Sequence, residues 1–258
     1  MKSEAKSELT VNQTSKSFGG IQAVNKCSFT IKPGEICGLI GPNGAGKTTV
    51  LNLITGTLTL DEGKILLGNE SLNGLPPYEI VSRGIARTFQ DLRLFKQLTV
   101  LENVLYAQQK IRGENPIFSL LRMKGWEEQR KKNWEAGMEC LRYVGLAEKG
   151  NEITSNLSYG EEKLLSLARV LATEAQLLLL DEPMSGLDSQ SIKQFFQIIH
   201  NLNKEGKTVL LIEHNFSIIK EITNRVIFLH HGQVIAEGRP EEIIKDQKLT
   251  EIYFGGKR

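Results

Sequence analysis

The sequence predicts an α/β protein with a mostly parallel core sheet, an N-terminal antiparallel β part and an inserted helical subdomain. Three observations support this fold class. Short apolar strands alternate with helices before Asp91 and again after Asn156. The segment between these two residues has helical periodicity instead. A glycine-rich turn joins the first buried strand to the helix that follows it.

The elements before Asp91 are of two kinds. From Leu9 onward, alternating stretches are interrupted by Gly19-Gly20 and end at Pro33-Gly34, a pattern that predicts antiparallel strands. A buried strand, a helix and a further strand are then expected in this order: Glu35 to Ile40, Thr48 to Thr55 and Lys64 to Leu67.

The segment from Asp91 to Asn156 is predicted to be helical. Apolar side chains near residues 100–105 share one helical face, and a longer helix is expected from about Glu127 to Val144. After this segment we expect a helix, a strand, a helix and three strands: Tyr159 to Thr173, Leu177 to Leu180, Ser189 to Lys204, Val209 to Ile212, Val226 to Leu229 and Val234 to Ala236.

These elements predict a single domain over residues 1–258. Residues 1–90 and 157–238 would form the α/β core with its antiparallel part, 91–156 the helical subdomain and 239–258 a C-terminal helical segment. A chain of 258 residues permits one large domain. The content of 40% hydrophobic and 24% charged residues is ordinary for a globular protein.

The charge and the cysteines exclude several classes of protein. The 32 Lys and Arg residues exceed the 30 Asp and Glu residues by two, which argues against a basic nucleic-acid-binding protein. Cys27, Cys37 and Cys140 lack a paired spacing and are expected to be reduced thiols in the cytosol. No apolar run reaches the roughly 20 residues of a spanning helix. Met1 to Ser7 has no apolar segment, so no secretory signal is expected.

The segment Gly41-Pro-Asn-Gly-Ala-Gly-Lys-Thr48 matches the phosphate-loop pattern G-x-x-x-x-G-K-[ST]. Glycines allow backbone N–H groups to face one concavity, and the following helix adds its positive end. The Lys47 ammonium can reach the β- and γ-phosphates, and the Thr48 hydroxyl can hold Mg²⁺. The predicted nucleotide-binding residues here are Gly41, Pro42, Asn43, Gly44, Ala45, Gly46, Lys47, Thr48 and Thr49.

Two acids follow a buried strand in Leu177-Leu-Leu-Leu-Asp-Glu-Pro183. Asp181, at the strand end, fits a residue that supports Mg²⁺ in a nucleotide hydrolase. Glu182 is then placed to polarise the attacking water as a general base. The alternative is that the strand simply ends in polar residues and Pro183 stops it. The phosphate loop elsewhere in the chain favours the chemical interpretation.

The segment Asn156-Leu-Ser-Tyr-Gly-Glu161 opens a helix. Ser158 and Glu161 have the S-x-x-E spacing of a capping box. Since the helix also has an apolar face, a capped core helix explains the pattern fully. A second interpretation is that the helix start, with Ser158 and the Gly160 amide, binds an anion. The pattern alone favours the first interpretation and leaves the second open.

Together, the three motifs resemble the ATPase subunit of an ABC transporter, and the resemblance covers essentially the whole chain. Further motifs occur in family order: Gln90 as the Q-loop glutamine, Ser185-Gly-Leu-Asp188 as the D-loop and His214 as the switch histidine. The resemblance implies a P-loop NTPase fold that binds ATP and Mg²⁺ and hydrolyses ATP.

The resemblance also implies roles for single residues. Two subunits would pair head to tail, with Ser158 and Gly160 of one sealing the γ-phosphate bound by the other and Asp188 linking the two sites. Phe18 stands where the family stacks an aromatic ring on adenine. The implied hydrolytic site combines catalytic Lys47, Gln90, Glu182 and His214 with the metal-site residues Thr48, Gln90 and Asp181.

The sequence departs from the family pattern at two of its motifs. Tyr159 replaces the commonest glycine of the signature, where its side chain would hinder a backbone that needs a positive φ. Asn215 follows the switch histidine where aspartate is frequent, which is expected to tune the setting of that histidine.

Several segments resemble one subgroup more narrowly, the ATPases of bacterial branched-chain amino acid importers. Related importers of urea, amides or other amino acids and the lipopolysaccharide-export ATPase are alternatives. The segments that carry this resemblance are Gly84 to Gln90, Leu94-Phe95, Leu98 to Val104, Leu210 to His214 and Ile252 to Gly255. The stretch Lys110 to Trp134 is similar in placement. It is either a hairpin that docks a permease or, as we favour, an amphipathic hairpin with a solvated basic face.

The implied partners are integral-membrane permease subunits, a second ATPase subunit of the same or similar sequence and, indirectly, an extracytoplasmic solute-binding protein. We expect a peripheral position at the cytoplasmic face of the inner membrane and no nucleic-acid partner. An ABC ATPase acting on DNA or the ribosome would usually carry coiled coils or two ATPase units in one chain. A P-loop kinase acting on a small molecule would not need the signature segment or the D-loop.

Overall fold

In a computed structural model of the chain, residues 7–108 and 126–254 are described. They divide into two units. The first comprises residues within Met1–Arg87, Gln176–Gly186 and Ile199–Arg258, and the second residues within Thr88–Ala175 and Leu187–Ile198. Most of the stretch from Lys110 to Trp134, for which two interpretations were open, lies outside the described residues, as do Met1 to Lys6 and Gly255.

The first unit contains an antiparallel sheet, as the alternating pattern predicted. Its strands are β1 (Leu9–Phe18), β2 (Ile21–Ile31), β4 (Glu62–Leu67) and β5 (Glu70–Ser71), in the order β2-β1-β4-β5. The β1–β2 hairpin turns at Gly19-Gly20, which pairs Phe18 with Ile21 and Leu9 with Ile31. Alternate side chains of β2, namely Cys27, Phe29 and Ile31, are buried because only one face meets the core.

The second sheet of this unit is mostly parallel, which confirms the predicted fold class. Its strands are β3 (Ile36–Ile40), β6 (Ile85–Arg87), β7 (Leu177–Asp181), β8 (Thr208–Ile212), β9 (Arg225–His230) and β10 (Gln233–Gly238). Their order is β10-β9-β3-β8-β7-β6, and only β10 runs antiparallel to its neighbour. Every residue of β3, β7 and β8 is buried, as expected for strands covered on both faces.

The helices of the first unit begin with α1 (Lys47–Ile54), directly after the glycine-rich turn. Leu51 and Ile54 of α1 are fully buried in one apolar cluster with side chains of both sheets, including Phe29 of β2 and Leu39 of β3. The other helices of this unit are α2 (Pro77–Ser82), α7 (Phe216–Ile222), α8 (Pro240–Lys245) and α9 (Gln247–Phe254).

The second unit is helical. Its helices are α3 (Val100–Leu105), α4 (Trp126–Val144), α5 (Tyr159–Leu171) and the first part of α6 (Ser189–Lys204), whose last residues belong to the first unit. The buried Asn103 amide donates to Phe95 O, Thr99 O and Thr154 Oγ1, at 2.9 to 3.0 Å. This side chain therefore ties α3 to the loop before it and to the segment between α4 and α5.

None of the helices in the described parts of the chain is long and apolar enough to span a bilayer. Cys27 and Cys37 are buried and unbridged, and Cys140 is an unbridged, partly buried thiol. Burial raises the pKa of both buried thiols to about 12, so they are protonated and chemically inert at neutral pH.

Candidate functional site

The carboxyl ends of three neighbouring parallel strands bring most of the predicted hydrolytic residues of the first unit to one edge of its sheet. Strand β3 runs into the phosphate loop, β7 ends at Asp181, and β8 is followed by Glu213 and His214. Because β8 lies between β3 and β7, these three loops are adjacent. This is the edge at which open parallel sheets bind ligands.

The phosphate loop needs glycine at defined positions. Gly41 and Gly46 have φ values of 149° and 102°, which L side chains rarely adopt. A Cβ on Gly46 would lie 2.4 Å from Ala23 O, and one on Gly41 would lie 2.0 Å from Leu229 O. No side chain caps α1. The first turn of α1 therefore offers its backbone N–H groups to an anion rather than to a cap.

Lys47 begins α1 and is 6% exposed. Its Nζ donates to Gly41 O at 2.8 Å and to Pro42 O at 3.0 Å. Burial lowers the pKa of this ammonium, while the charges of Glu182 and Asp181 act in the opposite direction. The ammonium thus lies over the loop, close enough to both acids to interact with them electrostatically.

Asp181 is held by an arginine that the sequence analysis did not identify. Arg87 Nη2 contacts Asp181 Oδ2 at 2.7 Å, and the two side chains are only 5% and 3% exposed. Arg87 Nη1 also donates to Asn52 Oδ1 of α1 at 2.6 Å. Arg87 ends strand β6, which pairs with β7, so the salt bridge crosses between adjacent strands. It fixes the direction of the Asp181 carboxylate.

Glu182 has a left-handed backbone conformation, with φ of 49°. For a residue with a side chain this costs about 1–2 kcal/mol. Its N–H donates to Ile212 O at 2.9 Å, and its Oε1 lies 2.5 Å from His214 Nε2. The strained backbone therefore turns the carboxylate toward the loop after β8.

The loop after β8 is fixed at three successive residues. Glu213 is 3% exposed, and its Oε1 accepts a hydrogen bond from Met184 N at 2.8 Å. The His214 carbonyl accepts from Tyr253 Oη at 2.8 Å. Asn215 Oδ1 accepts from Ser217 N at 2.9 Å and caps α7. Asn215, which stands where the family frequently has aspartate, is thus a good helix cap, because Asn and Asp cap equally well.

In the second unit, the predicted capping box is confirmed. Ser158 is the N-cap of α5, and its N–H and Oγ each lie 2.9 Å from Glu161 Oε2. Lys149 Nζ contacts the other carboxylate oxygen of Glu161 at 2.8 Å. These contacts hold the Glu161 carboxylate across the helix start, and they lower its pKa, with the Lys149 bond as the largest cause.

The prediction that the Tyr159 side chain would hinder the signature backbone is wrong. This residue is the first of α5 and has no positive φ, so its side chain fits the helical backbone. Its ring is 50% exposed and lies 5.5 Å from Lys163 Nζ. A Cβ built on the neighbouring Gly160 would make only ordinary contacts, the nearest being Ser191 Oγ at 3.5 Å. The described part of the chain therefore has room for alanine at position 160.

The remaining predicted residues lie as follows. Asp188 caps α6, accepting from Gln190 N, Ser191 N and Ser191 Oγ at 2.8 to 3.0 Å, and hydrogen bonds with Ser191 are the largest cause of its lowered pKa. Phe18 ends β1 with 43% of its surface exposed, so it is not a buried core residue. Gln90, Ser158, Gly160 and Asp188 all belong to the second unit.

Arg87, Glu213 and Tyr253 are the contributors that the sequence analysis missed. Glu213 had a signal, because it follows a buried strand just as Asp181 and Glu182 do. Arg87 had a weaker sequence signal, because it is a charged residue at the end of a short apolar run. Tyr253 had none, since its contact to His214 joins residues that lie 39 positions apart.

A phosphate loop and adjacent acids at the carboxyl edge of a parallel sheet define a P-loop nucleotide hydrolase. Residues 24–185 match the family described as ABC transporter. The chain belongs to this family, as an ATPase of the ABC type, which confirms the resemblance stated from the motifs.

Individual relatives match over nearly the full length. The high-affinity branched-chain amino acid transport ATP-binding protein LivG of Escherichia coli K12 is 38% identical over 96% of this chain and 97% of its own. The ADP conformation of MJ1267, an ATP-binding cassette of an ABC transporter, has a TM-score of 0.83 and 32% identity, covering 96% and 99% of the two chains. A dimeric post-hydrolysis state of the cassette MJ0796, bound to ADP and Pi, has a TM-score of 0.75 and 30% identity, covering 90% and 98%.

Proposed function

We propose that this chain binds and hydrolyses ATP to drive the import of branched-chain amino acids through a membrane permease. The observation that carries the hydrolytic part is the group formed by Lys47, Asp181, Glu182 and His214 at one sheet edge. The solute class is supported by the name of LivG and the near-complete coverage of both chains. In sequence order, the proposed domain has residues 1–90 and 157–238 as core, 91–156 as helical subdomain and 239–258 as C-terminal segment.

ATP would enter with its phosphates in the loop Gly41 to Thr49 and its adenine against Phe18. The Lys47 ammonium would exchange its contacts with the Gly41 and Pro42 carbonyls for contacts with the β- and γ-phosphates. This exchange replaces two dipoles by full negative charges, so it favours the bound state.

Mg²⁺ fits the oxygen donors that this chain offers. Thr48, Gln90 and Asp181 supply a hydroxyl, an amide and a carboxylate, which are hard ligands of the kind that Mg²⁺ prefers. Held by these three residues, the ion would supply positive charge against the negative charge of the phosphates. The salt bridge from Arg87 holds the Asp181 carboxylate in one direction.

Glu182 would polarise the attacking water and accept its proton. The water oxygen then bonds to the γ-phosphorus, the bond to the bridging oxygen breaks, and ADP and phosphate leave. His214 and Gln90 would contact the γ-phosphate and the water. His214 Nε2 lies 2.5 Å from Glu182 Oε1, which supports a shared role of these two side chains at the γ-phosphate. Catalysis here is by positioning and electrostatics.

A second ATPase subunit, of the same or similar sequence, would complete the site. Ser158 and Gly160 of one subunit would seal the phosphates bound by the other, and Asp188 would connect the two sites. The dimeric MJ0796 structure supports this arrangement. So does Gly160 itself, because nothing in the described part of the chain requires a glycine there. A partner's bound phosphate, which needs close backbone approach, would require it.

The assembled transporter would hold this subunit at the cytoplasmic face of the inner membrane, against permease subunits that receive solute from an extracytoplasmic binding protein. The helical subdomain, through the segment after Gln90, would pass the motion of ATP closure to the permease. We expect no nucleic-acid partner.

The proposal is tested by affinity purification of the tagged chain from detergent-extracted membranes, with mass spectrometry of its partners. We expect a permease pair and a second ATPase. Liposomes containing that complex should take up radiolabelled leucine only with ATP inside and the solute-binding protein outside. Uptake of urea or amides in place of leucine would overturn the solute class. Recovery of ribosomes or DNA would overturn the transport role.

A further inference from the structure

Tyr253 connects the C-terminal helix α9 to the loop that carries His214. Its Oη donates a hydrogen bond to the His214 carbonyl oxygen at 2.8 Å. Its ring meets the rings of Phe216 and Phe228 edge-on, each with a centroid separation of 6.0 Å. Phe216 begins α7 and Phe228 lies in β9, so the phenol is held between two elements of the first unit. Such ring pairs stabilise one orientation of the side chain.

The direction of the His214 side chain depends on its backbone. The imidazole is 47% exposed, so surrounding side chains do not fix it by packing. The neighbours Glu213 and Asn215 are anchored to Met184 N and Ser217 N, on either side of the histidine. The contact from Tyr253 is made with the peptide carbonyl of His214 itself.

The Tyr253 hydroxyl remains a donor over the whole physiological range. Burial and the nearby charge of Glu213 raise the pKa of this phenol to about 12. A phenolate would have no proton to donate to a carbonyl oxygen. The phenol therefore keeps the proton that it donates at both pH 6 and pH 9.

We propose that Tyr253 is a positioning residue for ATP hydrolysis: its hydroxyl holds the His214 backbone so that the imidazole stays directed at Glu182 and the reacting phosphate. This inference rests on the proposed function, in which His214 contacts the γ-phosphate. Tyr253 itself touches no substrate in this assignment and acts through the histidine. The C-terminal helix thereby becomes part of the support of the hydrolytic site.

The kinetic test is Tyr253→Phe in the assembled transporter, which removes only the hydroxyl. Losing one hydrogen bond from a positioned group should lower kcat for ATP roughly three- to tenfold. The KM for ATP should stay within about twofold, because the phosphate loop is untouched. The matched control is Tyr78→Phe on α2 in the same unit, whose side chain is 73% exposed and should leave both constants unchanged.

A second readout does not depend on activity. The chain contains four histidines. In the full-length chain labelled with ¹⁵N-histidine, Tyr253→Phe should shift the imidazole signals of His214 and leave those of His200 and His231 in place. The His214 signals are assigned by their loss in His214→Gln. A tyrosine that only stabilised the fold would lower Tm without moving these signals.

The inference requires both effects. An unchanged kcat overturns it, whether or not the His214 signals move, and a lowered kcat with unmoved signals overturns the route through His214. If His214→Gln hydrolyses ATP at the wild-type rate, the proposed role of His214 fails, and the catalytic purpose of Tyr253 fails with it. If His214→Gln is inactive and Tyr253→Phe is normal, only the positioning role fails.

Discussion

Glu182 combines two properties that a structural residue rarely has together. Its backbone is left-handed, with φ of 49°, and its carboxylate lies 2.5 Å from an exposed histidine. Backbone strain of this kind persists where the surroundings hold it, and it concentrates at functional sites. At this residue the surroundings are the hydrogen bonds to Ile212 O and from Ser185 N. The strain therefore supports a chemical role for the side chain.

Replacing Glu182 by glutamine should separate binding from chemistry. The amide keeps the size of the side chain and cannot accept a proton, so turnover should fall at least about 100-fold. ATP affinity should be unchanged or higher, because a negative charge near the phosphates is removed. Phosphate release and equilibrium binding of a fluorescent ATP analogue measure the two quantities. Glu221→Gln on the exposed face of α7 is the control, and wild-type turnover in Glu182→Gln would refute the assignment.

Arg87 has a different task, which is to compensate a buried charge. The Arg87–Asp181 pair is almost fully removed from solvent. Arg87→Ala leaves the Asp181 carboxylate buried without this partner, and we expect a loss of about 3–5 kcal/mol in the free energy of unfolding. Arg83→Ala, which breaks exposed ion pairs to Glu70 and Glu79, should cost at most about 1 kcal/mol. Urea unfolding measures both, and equal losses would contradict the expected difference.

At the scale of elements, glycine has opposite structural roles at the starts of two helices, α1 and α5. The glycine at the start of α1, Gly46, is required by its own chain, because its φ is 102° and a Cβ would meet Ala23 O at 2.4 Å. Gly160, in the first turn of α5, has helical backbone and space for a methyl group. The first glycine is explained by the fold, and the second is explained by the proposed partner subunit.

The two glycines therefore predict contrasting variants. Gly160→Ala should change the free energy of unfolding by less than about 1 kcal/mol, and any change should favour the folded state, since alanine is the better helix former. ATP hydrolysis by the assembled transporter should nevertheless fall. Gly46→Ala should destabilise by more than about 1 kcal/mol. Full activity of Gly160→Ala would remove the argument that a partner's phosphate approaches this glycine.

At the scale of the whole molecule, burial divides the three cysteines. Cys27 and Cys37 lie in the core of the first unit, and their pKa of about 12 leaves almost no thiolate at pH 8. Cys140 lies in the second unit and is partly exposed. Exposure of the first two thiols requires opening of the first unit itself.

A thiol-specific reagent such as Ellman's reagent should report this division. At pH 8 the folded chain should react at one thiol, and all three should react in guanidinium chloride. Because burial raises the pKa of both core thiols, their reactivity should rise only as the pH approaches 12 or as the protein unfolds. Rapid reaction of three thiols in the folded chain at pH 8 would contradict the buried positions, and Cys140→Ser serves as the control that removes the single fast phase.

Much of the fold was predictable because its signals are local. The buried run before Gly41, the run before Asp181 and the S-x-x-E spacing at Ser158 each define an element through neighbouring residues, and the structure has a strand or a capped helix at each. The short strand Ile85–Arg87 was missed, because three residues are too few for a periodic pattern. The antiparallel direction of β10 was not predicted either, since strand direction depends on the partner.

The sequence by itself determined the phosphate loop, the acids Asp181 and Glu182, and the membership in a family of ATPases, because each depends on residue types at fixed spacing along the chain. Only the tertiary structure decided that Arg87 neutralises Asp181, that Glu182 is strained toward His214, and that Tyr253 holds the backbone of that histidine. These contacts join residues 94, 32 and 39 positions apart. Such separations along the chain carry no local signal. The first two contacts form because parallel strands bring their carboxyl ends to one edge of a sheet, and the third forms because α9 reaches the loop after β8.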